Sequence, residues 1–165
     1  MMGGTGEIFH LLAGLKTLVG VPKWHPNREN TVRLKVTLAV EGAVRPGLIL
    51  DINANTHTID QHGGINLIYH NIVIERLNYH PHDVHVNRLG IGPLSGKILP
   101  SGEHRYYAWE NNAFLGWPRE TKVNLAVADL LPDPLPTFAE ALAYFFKRAH
   151  IVGDIAPPPY DPLLL

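Results

Sequence analysis

Strict alternation of apolar and polar residues from Thr31 to Val40 is the feature that most constrains how this chain can fold. Successive side chains of a strand point to opposite faces, so a period of two places every apolar residue on one face. The pattern therefore predicts a strand that is buried on one side and solvated on the other. The apolar members are Val32, Leu34, Val36, Leu38 and Val40.

Further strand patterns follow this one along the chain. After a turn at Glu41 to Gly47, the alternation resumes at Leu48, Leu50 and Ile52 and predicts an antiparallel partner. Gly63 and Gly64 mark another turn. The remaining predicted strands are one long bent or two short strands within Ile65 to Tyr79, then Asp83 to Arg88, Glu103 to Glu110 and Lys122 to Val127. Glycine and proline in Leu89 to Gly102 predict a loop long enough to cover a site.

Helical spacing is found only near the two ends of the chain. Glu7 to Val19 is predicted to be an amphipathic helix. A second helix is predicted to begin at Thr137, because Glu140 three residues later completes a capping box. We therefore expect an α+β domain over residues 1–155, with an antiparallel sheet of about five or six strands between an N-terminal and a C-terminal helix. Residues 156–165 are expected to form a proline-rich extended tail.

Composition excludes several classes of function. The 165 residues include no cysteine, which rules out disulfides, thiolate nucleophiles and cysteine-bound zinc. The formal net charge is −1, so binding to nucleic acid would need a local basic patch. No apolar run approaches the ~20 residues of a membrane helix, and the start of the chain lacks signal-peptide character. We expect a cytoplasmic protein with no membrane contact and no cofactor.

Histidine is unusually abundant, with ten residues in the chain, and the densest cluster lies between Tyr79 and Asn87. Neutral imidazole binds zinc, nickel, copper or iron. His80, His82 and His85 are therefore an alternative metal site. Their spacing of two and then three would place His82 and His85 on opposite faces of a regular strand, so scattered surface histidines are the competing interpretation.

A second constellation joins two predicted strands. If Val84 and Val86 face the core, His85 and Asn87 face outward together. On the later strand His104 and Tyr106 share one face. If the intervening loop places these strands side by side, all four polar side chains form one patch. The alternative is a solvated sheet face on which such side chains pair only for stability.

Two imidazoles with a nearby amide and phenol suit metal-independent cleavage of RNA. One ring can accept a proton while the other donates one, and RNA supplies its own nucleophile, the 2′-hydroxyl group. We therefore interpret His85, His104, Asn87 and Tyr106 as a candidate catalytic set. The candidate phosphate contacts are Arg88, Arg105 and Lys97, and the candidate base-stacking residues are Trp109, Trp117 and Tyr107.

The second half of the chain resembles a class of small uncharacterised bacterial proteins, some of them related to toxin–antitoxin systems. The resemblance covers about residues 78–151 and includes His85-Val-Asn87, Gly90 and His104-Arg-Tyr106, together with a closing helix that ends in Phe145-Phe-Lys-Arg-Ala-His-Ile151. Where these proteins usually carry a second histidine in the later strand, this chain has Tyr106. The resemblance implies a toxin-like or defence-related role with an RNA target.

Two other functions remain open at this point. A non-enzymatic protein would bind a partner protein through its sheet face, or through the proline-rich tail with Leu163 to Leu165. A histidine-bound metal protein is the third possibility. The oligomeric state, the substrate and the strand order do not follow from the sequence.

Overall fold

The computed structural model describes residues 5–57, 62–90, 92–112 and 125–159. Over these residues the chain is an α+β protein with a large, mostly antiparallel sheet. The helices are α1 (Thr5–Ala13), α2 (Trp109–Asn112) and α3 (Phe138–Arg148). The strands are β1 (Lys16–Leu18), β2 (Trp24–Pro26), β3 (Thr31–Val40), β4 (Ala43–Asn55), β5 (Gly63–Tyr69), β6 (Ile72–Tyr79), β7 (His85–Val86), β8 (Ile98–Leu99), β9 (Arg105–Tyr107), β10 (Asp129–Leu130) and β11 (Ile151–Val152).

The main sheet of the described residues has nine strands, more than the five or six expected. Its order is β10-β9-β6-β5-β4-β3-β1-β11, and β2 also pairs with β3. Among the strand pairs of the described residues, only β1 and β11 are parallel to each other. Many of the additional strands are two or three residues long and carry no periodicity that a sequence pattern could reveal.

The meander β3 to β6 forms the centre of the sheet and confirms the period-two prediction. The apolar residues of β3 are buried, and Leu48, Leu50 and Ile52 lie beside them on β4. Ile65 to Tyr79 forms two strands, because the chain turns at His70 and Asn71, both with positive φ. One sheet face packs on α1 and α3, and the other carries mainly polar side chains.

The N-terminal helix is shorter than predicted. It ends at Ala13, and Lys16–Leu18 is a strand rather than the last helical turn. Gly14 allows close packing there, because a Cβ atom on it would lie 2.6 Å from the Val40 side chain. The buried ammonium group of Lys16 donates to the carbonyl oxygens of Leu12, Gly14 and Ala149. A cation therefore stabilises the carboxyl-terminal ends of α1 and α3, and burial lowers its pKa to about 8.

The second predicted helix is confirmed as α3, including its capping box. The Thr137 side chain accepts from the Glu140 backbone N–H, and the Glu140 carboxylate accepts from the Thr137 backbone N–H. Phe138, Ala141 and Phe145 are buried against the sheet. The helix is followed by β11, so it is not the last regular element.

The hairpin β7–β8 lies outside the main sheet and is fixed to the segment that precedes β10. Buried Asn87 and Asn112 bond to the backbone of residues 126–128. Of the strand predicted at Lys122 to Val127, the described residues Leu125 to Val127 have no strand structure, because these amides satisfy their backbone groups instead. The rest of that prediction lies outside the described residues.

The described part of the predicted tail is extended and contacts the body of the protein. The Trp24 indole N–H donates to the carbonyl oxygen of Ala156 over 2.8 Å, and Pro158 is buried. Leu163 to Leu165 lie outside the described residues. Across the described ranges, none of the helices has the length and apolar character needed to cross a membrane.

Candidate functional site

The pocket predicted between two neighbouring strands is not formed. β7 pairs with β8, whereas β9 pairs with β6 and β10. The His85 ring lies 5.6 Å from that of Tyr107, whereas Tyr106, the next residue back along β9, packs against Phe145 of α3. Neighbouring residues of a strand point to opposite faces. The predicted catalytic residues His85 and Tyr106 therefore lie on opposite sides of the sheet.

In the first predicted strand, the side chains expected to face the core are exposed, and one of those expected to face outward is buried. Val84 and Val86 are 59% and 57% exposed, whereas Asn87 is fully buried. The Asn87 amide donates to the carbonyl oxygens of Leu94 and Ala128, and its Oδ1 accepts from the Ala128 N–H. His85 Nε2 lies 3.1 Å from Asn87 Oδ1 and 3.0 Å from the Ala126 carbonyl oxygen. These contacts fix the hairpin to the segment before β10, since they use His85 Nε2 and the whole Asn87 amide.

His104 is equally committed to the fold. Its Nδ1 accepts from the His80 backbone N–H over 3.2 Å, which leaves Nε2 to donate to the Leu135 carbonyl oxygen over 3.0 Å. The ring stacks on Tyr79, with centroids 4.4 Å apart. Burial, with a contribution from His80, lowers the pKa of His104, so the ring is neutral near pH 7. With both ring nitrogens bonded to backbone, His104 has no proton to exchange with a ligand.

The alternative metal site is not assembled either. His80 Nδ1 lies 2.9 Å from the Gly102 carbonyl oxygen, and His82 stacks on His62 with centroids 4.6 Å apart. His85 belongs to the hairpin described above. No group of three or more metal-ligating side chains is found in the described ranges. Positive φ at His80 changes the direction of the chain between these residues.

The other predicted contacts divide between buried and exposed positions. Arg105 is 1% exposed, donates to the backbone oxygens of Asp83, Leu99 and Pro100, and pairs with the Asp83 carboxylate. Trp109 is fully buried and cannot stack on a base. Burial raises the pKa of Tyr106.

Two of the predicted phosphate contacts do reach solvent. Lys97 pairs with Asp129, and Arg88 is exposed on the hairpin. Tyr107 is buried beside the His85 ring. Trp117 lies outside the described residues.

A polar groove lies elsewhere, on the sheet face opposite α1 and α3. It has a volume of about 530 Å³ and opens to solvent. Strand register places its residues in two rows that run across β3, β4, β5 and β6. One row is Arg33, Asn53, Gly64 and Asn78, and the next is Lys35, Asp51, Asn66 and Arg76, of which Asn66 and Arg76 line the groove. Carboxamides and guanidinium groups thus occupy the solvated face of the sheet.

The two arginines at the floor of this groove differ in their partners. Arg33 makes a bidentate pair with Asp51, at 2.7 and 2.5 Å, so its charge is neutralised. Half-buried Arg76 has no carboxylate partner in the ranges that the structure describes. Its Nε donates to Asn66 Oδ1 over 2.7 Å, and its guanidinium carbon lies 5.8 Å from the Tyr107 ring centroid. Burial lowers the pKa of Arg76, as expected for a cation with incomplete compensation.

Sequence reasoning missed this groove because its residues are far apart in the chain. Asn53, Asn66 and Arg76 come from three strands and share no short motif. The available signal was the polar face of each strand in the meander. Polar residues at alternate positions indicate a solvated face, and this pattern does not distinguish carboxamides from other polar side chains.

Comparison of the chain with protein-family models, with curated proteins and with solved structures finds no match. The site is therefore interpreted from its own geometry.

Proposed function

We propose that the groove binds single-stranded RNA, with Arg76 as its main phosphate contact. The supporting observation is the half-buried guanidinium group of Arg76, which lines a groove that is open to solvent. Among the described residues, this group has no carboxylate partner. A phosphate oxygen is a matching acceptor, because guanidinium groups bind phosphate through charge-assisted hydrogen bonds. The anion would also compensate the guanidinium charge, from which burial has removed water.

The carboxamides around Arg76 favour a nucleic acid over a simple anion. Asn53, Asn66 and Asn78 each carry a donor and an acceptor, which suit base edges and the ribose 2′-hydroxyl group. Arg28 lies at the rim of the same groove and adds a second positive charge. An RNA segment would thus meet cations for its phosphates and amides for its bases, despite the overall charge of −1. The Asp83 carboxylate also lines the groove and is paired with buried Arg105.

Fluorescence anisotropy with a labelled single-stranded RNA tests this proposal. Arg76→Met should weaken binding about 10- to 100-fold, because a hydrogen bond to a charged group contributes about 1.5–3 kcal/mol. Arg88→Met is the matched control, since Arg88 is an exposed arginine outside the groove, and it should bind as wild type does. Equal affinities of wild type and Arg76→Met would overturn the proposal.

The proposal concerns binding and assigns no cleavage step to His85 and His104. His85 Nε2 and both ring nitrogens of His104 bond to the fold. The His85 ring lies beside Tyr107, whereas the His104 ring stacks on the core residue Tyr79. The toxin-like or defence-related role stays a prediction. Growth arrest on expression would test it, and Arg76→Met should relieve the arrest if RNA binding causes it.

Binding to a partner protein is the second candidate function, and the hairpin favours it. Val84, Val86, Leu89 and Ile98 are 57 to 79% exposed, and Val86 pairs directly with Ile98 across the ribbon. Contiguous exposed aliphatic groups are typical of surfaces that bind an apolar partner. A double Val86→Ser, Ile98→Ser variant should lose a co-purifying protein that the wild type retains, and retention of that protein would contradict this candidate.

A further inference from the structure

Gly64 occupies the middle of the groove floor. It lies in β5 and pairs with Asn53 on β4 and with Asn78 on β6. Among the described residues, a Cβ atom added to Gly64 would meet only Asn78 Oδ1, at 4.0 Å. The floor is therefore bare backbone at this point, with a carboxamide on either side.

The neighbouring glycine shows what a structural requirement looks like. A Cβ atom on Gly63 would lie 2.6 Å from the Phe138 ring and 2.9 Å from the Asn53 carbonyl oxygen, so packing requires glycine there. Gly64 has no such contact, and it is not among the residues with positive φ. The register shift of β5 is at Leu67 and Ile68, so no bulge explains it either. Glycine inside a strand without these causes marks the close approach of a ligand or of another backbone segment. No backbone atom of the described residues lies within 4 Å of a Cβ at Gly64, which favours a ligand.

The two flanking carboxamides are available for hydrogen bonding. Asn78 makes no side-chain hydrogen bond with the described residues, and Asn53 has only a contact of 3.5 Å from Asn27. Adjacent strands lie about 4.8 Å apart, so Asn53 and Asn78 are separated by roughly 10 Å. That gap admits a planar heterocycle lying flat on Gly64, with a hydrogen bond to each edge.

We propose that Gly64, Asn53 and Asn78 form a slot for one nucleobase of the bound RNA. This inference rests on the proposed RNA-binding function and specifies that the groove recognises a nucleobase as well as a phosphate. Arg76 lies on the neighbouring row of β6, beside Asn78 and two residues before it, so it would hold a phosphate next to the slot. The base is held by the amides and the bare backbone, and the phosphate by the arginine.

Substitution of Gly64 tests the slot without damaging the fold. Gly64→Val introduces a residue that strands favour into open space, so the variant should be at least as stable as wild type. The probes are a single-stranded RNA and an abasic ribose-phosphate oligomer of the same length. Wild type should prefer the RNA about tenfold or more, in keeping with the discrimination of paired amide contacts to a base. Gly64→Val should lose this preference and bind the abasic oligomer as wild type does, with Gly64→Ala intermediate.

Asn78→Ala and Arg76→Met separate the slot from the phosphate contact. Asn78→Ala removes a half-exposed amide and should reduce the RNA preference without affecting the abasic oligomer. Arg76→Met should weaken both probes. If Gly64→Val and Asn78→Ala keep the wild-type preference while Arg76→Met loses affinity, the slot is wrong and the RNA-binding function stands. If Arg76→Met binds both probes as wild type does, the proposed function is wrong and the slot falls with it.

Discussion

Two polar regions of this protein contain similar residue types and differ in what those residues have left to offer. Around the hairpin and β9, the ring nitrogens of His104 and the amide of Asn87 bond to backbone groups. In the groove, Arg76 has no carboxylate partner and Asn78 no side-chain hydrogen bond within the described ranges. The first region uses polar side chains to fix irregular chain, whereas the second keeps hydrogen-bonding capacity for a ligand. Unused capacity, rather than residue type, marks the candidate site.

The largest expected effect is on stability, at Asn87. Asn87→Ala should lower the free energy of unfolding by about 3–4 kcal/mol, because it leaves several buried backbone groups without partners. Urea unfolding measures this loss, and Arg88→Ala, at the adjacent exposed residue, should cost little. RNA binding by the folded fraction should be unchanged. If Asn87→Ala were as stable as wild type and bound RNA less well, Asn87 would belong to the site and the comparison would fail.

The next effect is on stability at Glu75, which lies next to Arg76 in β6 and on the opposite face of the sheet. Burial raises the pKa of Glu75, beneath α3, to about 7, whereas its ordinary value is 4.5. The folded protein therefore prefers the protonated acid, and this stability is complete below about pH 4.5 and lost as the pH rises through about 7. Glu75→Gln cannot ionise, so at pH 8 it should gain up to about 3 kcal/mol over wild type relative to its difference at pH 4.5.

Urea unfolding at pH 4.5 and pH 8 measures this difference. Exposed Glu29→Gln is the control and should show no such change between the two pH values. His104, with a lowered pKa, acts in the opposite direction and destabilises the fold as the pH falls below about 6.5. The comparison of each variant with wild type at the same pH removes that contribution. A Glu75→Gln difference that is the same at both pH values would contradict a buried, proton-binding carboxyl group.

A smaller effect is expected at His104. His104→Ala should cost about 1–2 kcal/mol, because it removes the acceptor for the His80 N–H and the donor for the Leu135 carbonyl oxygen. Its affinity for RNA should equal that of wild type, since the ring does not line the groove. Thermal unfolding and anisotropy measure the two quantities, with His10→Ala, at an exposed position of α1, as the control. Loss of RNA binding without loss of stability would return His104 to the functional site.

The sequence predicted those parts of the fold that local patterns determine. Alternation in β3 revealed the buried face of the sheet, and the Thr137 to Glu140 spacing located the start of α3. Which way the Val84 and Val86 side chains point could not be predicted in this way. A two-residue strand has no period, and the burial of Asn87 depends on Ala128, which is far away in the chain.

The candidate site was hidden for a related reason. Asn53, Gly64 and Asn78 meet because three strands pair in one register, and the sequence does not state that register. The shift between Leu67 and Ile68 also changes how β5 and β6 align beyond it. The clustered histidines were visible in the sequence, but ring nitrogens of His80, His85 and His104 bond to backbone groups that only the folded chain brings near.

The salt dependence of RNA binding tests the central claim most directly. Each phosphate contact on a single strand contributes about 0.7 to the slope of log affinity against log salt concentration. Anisotropy titrations over a range of salt concentrations should therefore give Arg76→Met a slope about 0.7 shallower than that of wild type. Arg88→Met should keep the wild-type slope. An unchanged slope for Arg76→Met would contradict the claim that its guanidinium group holds a phosphate.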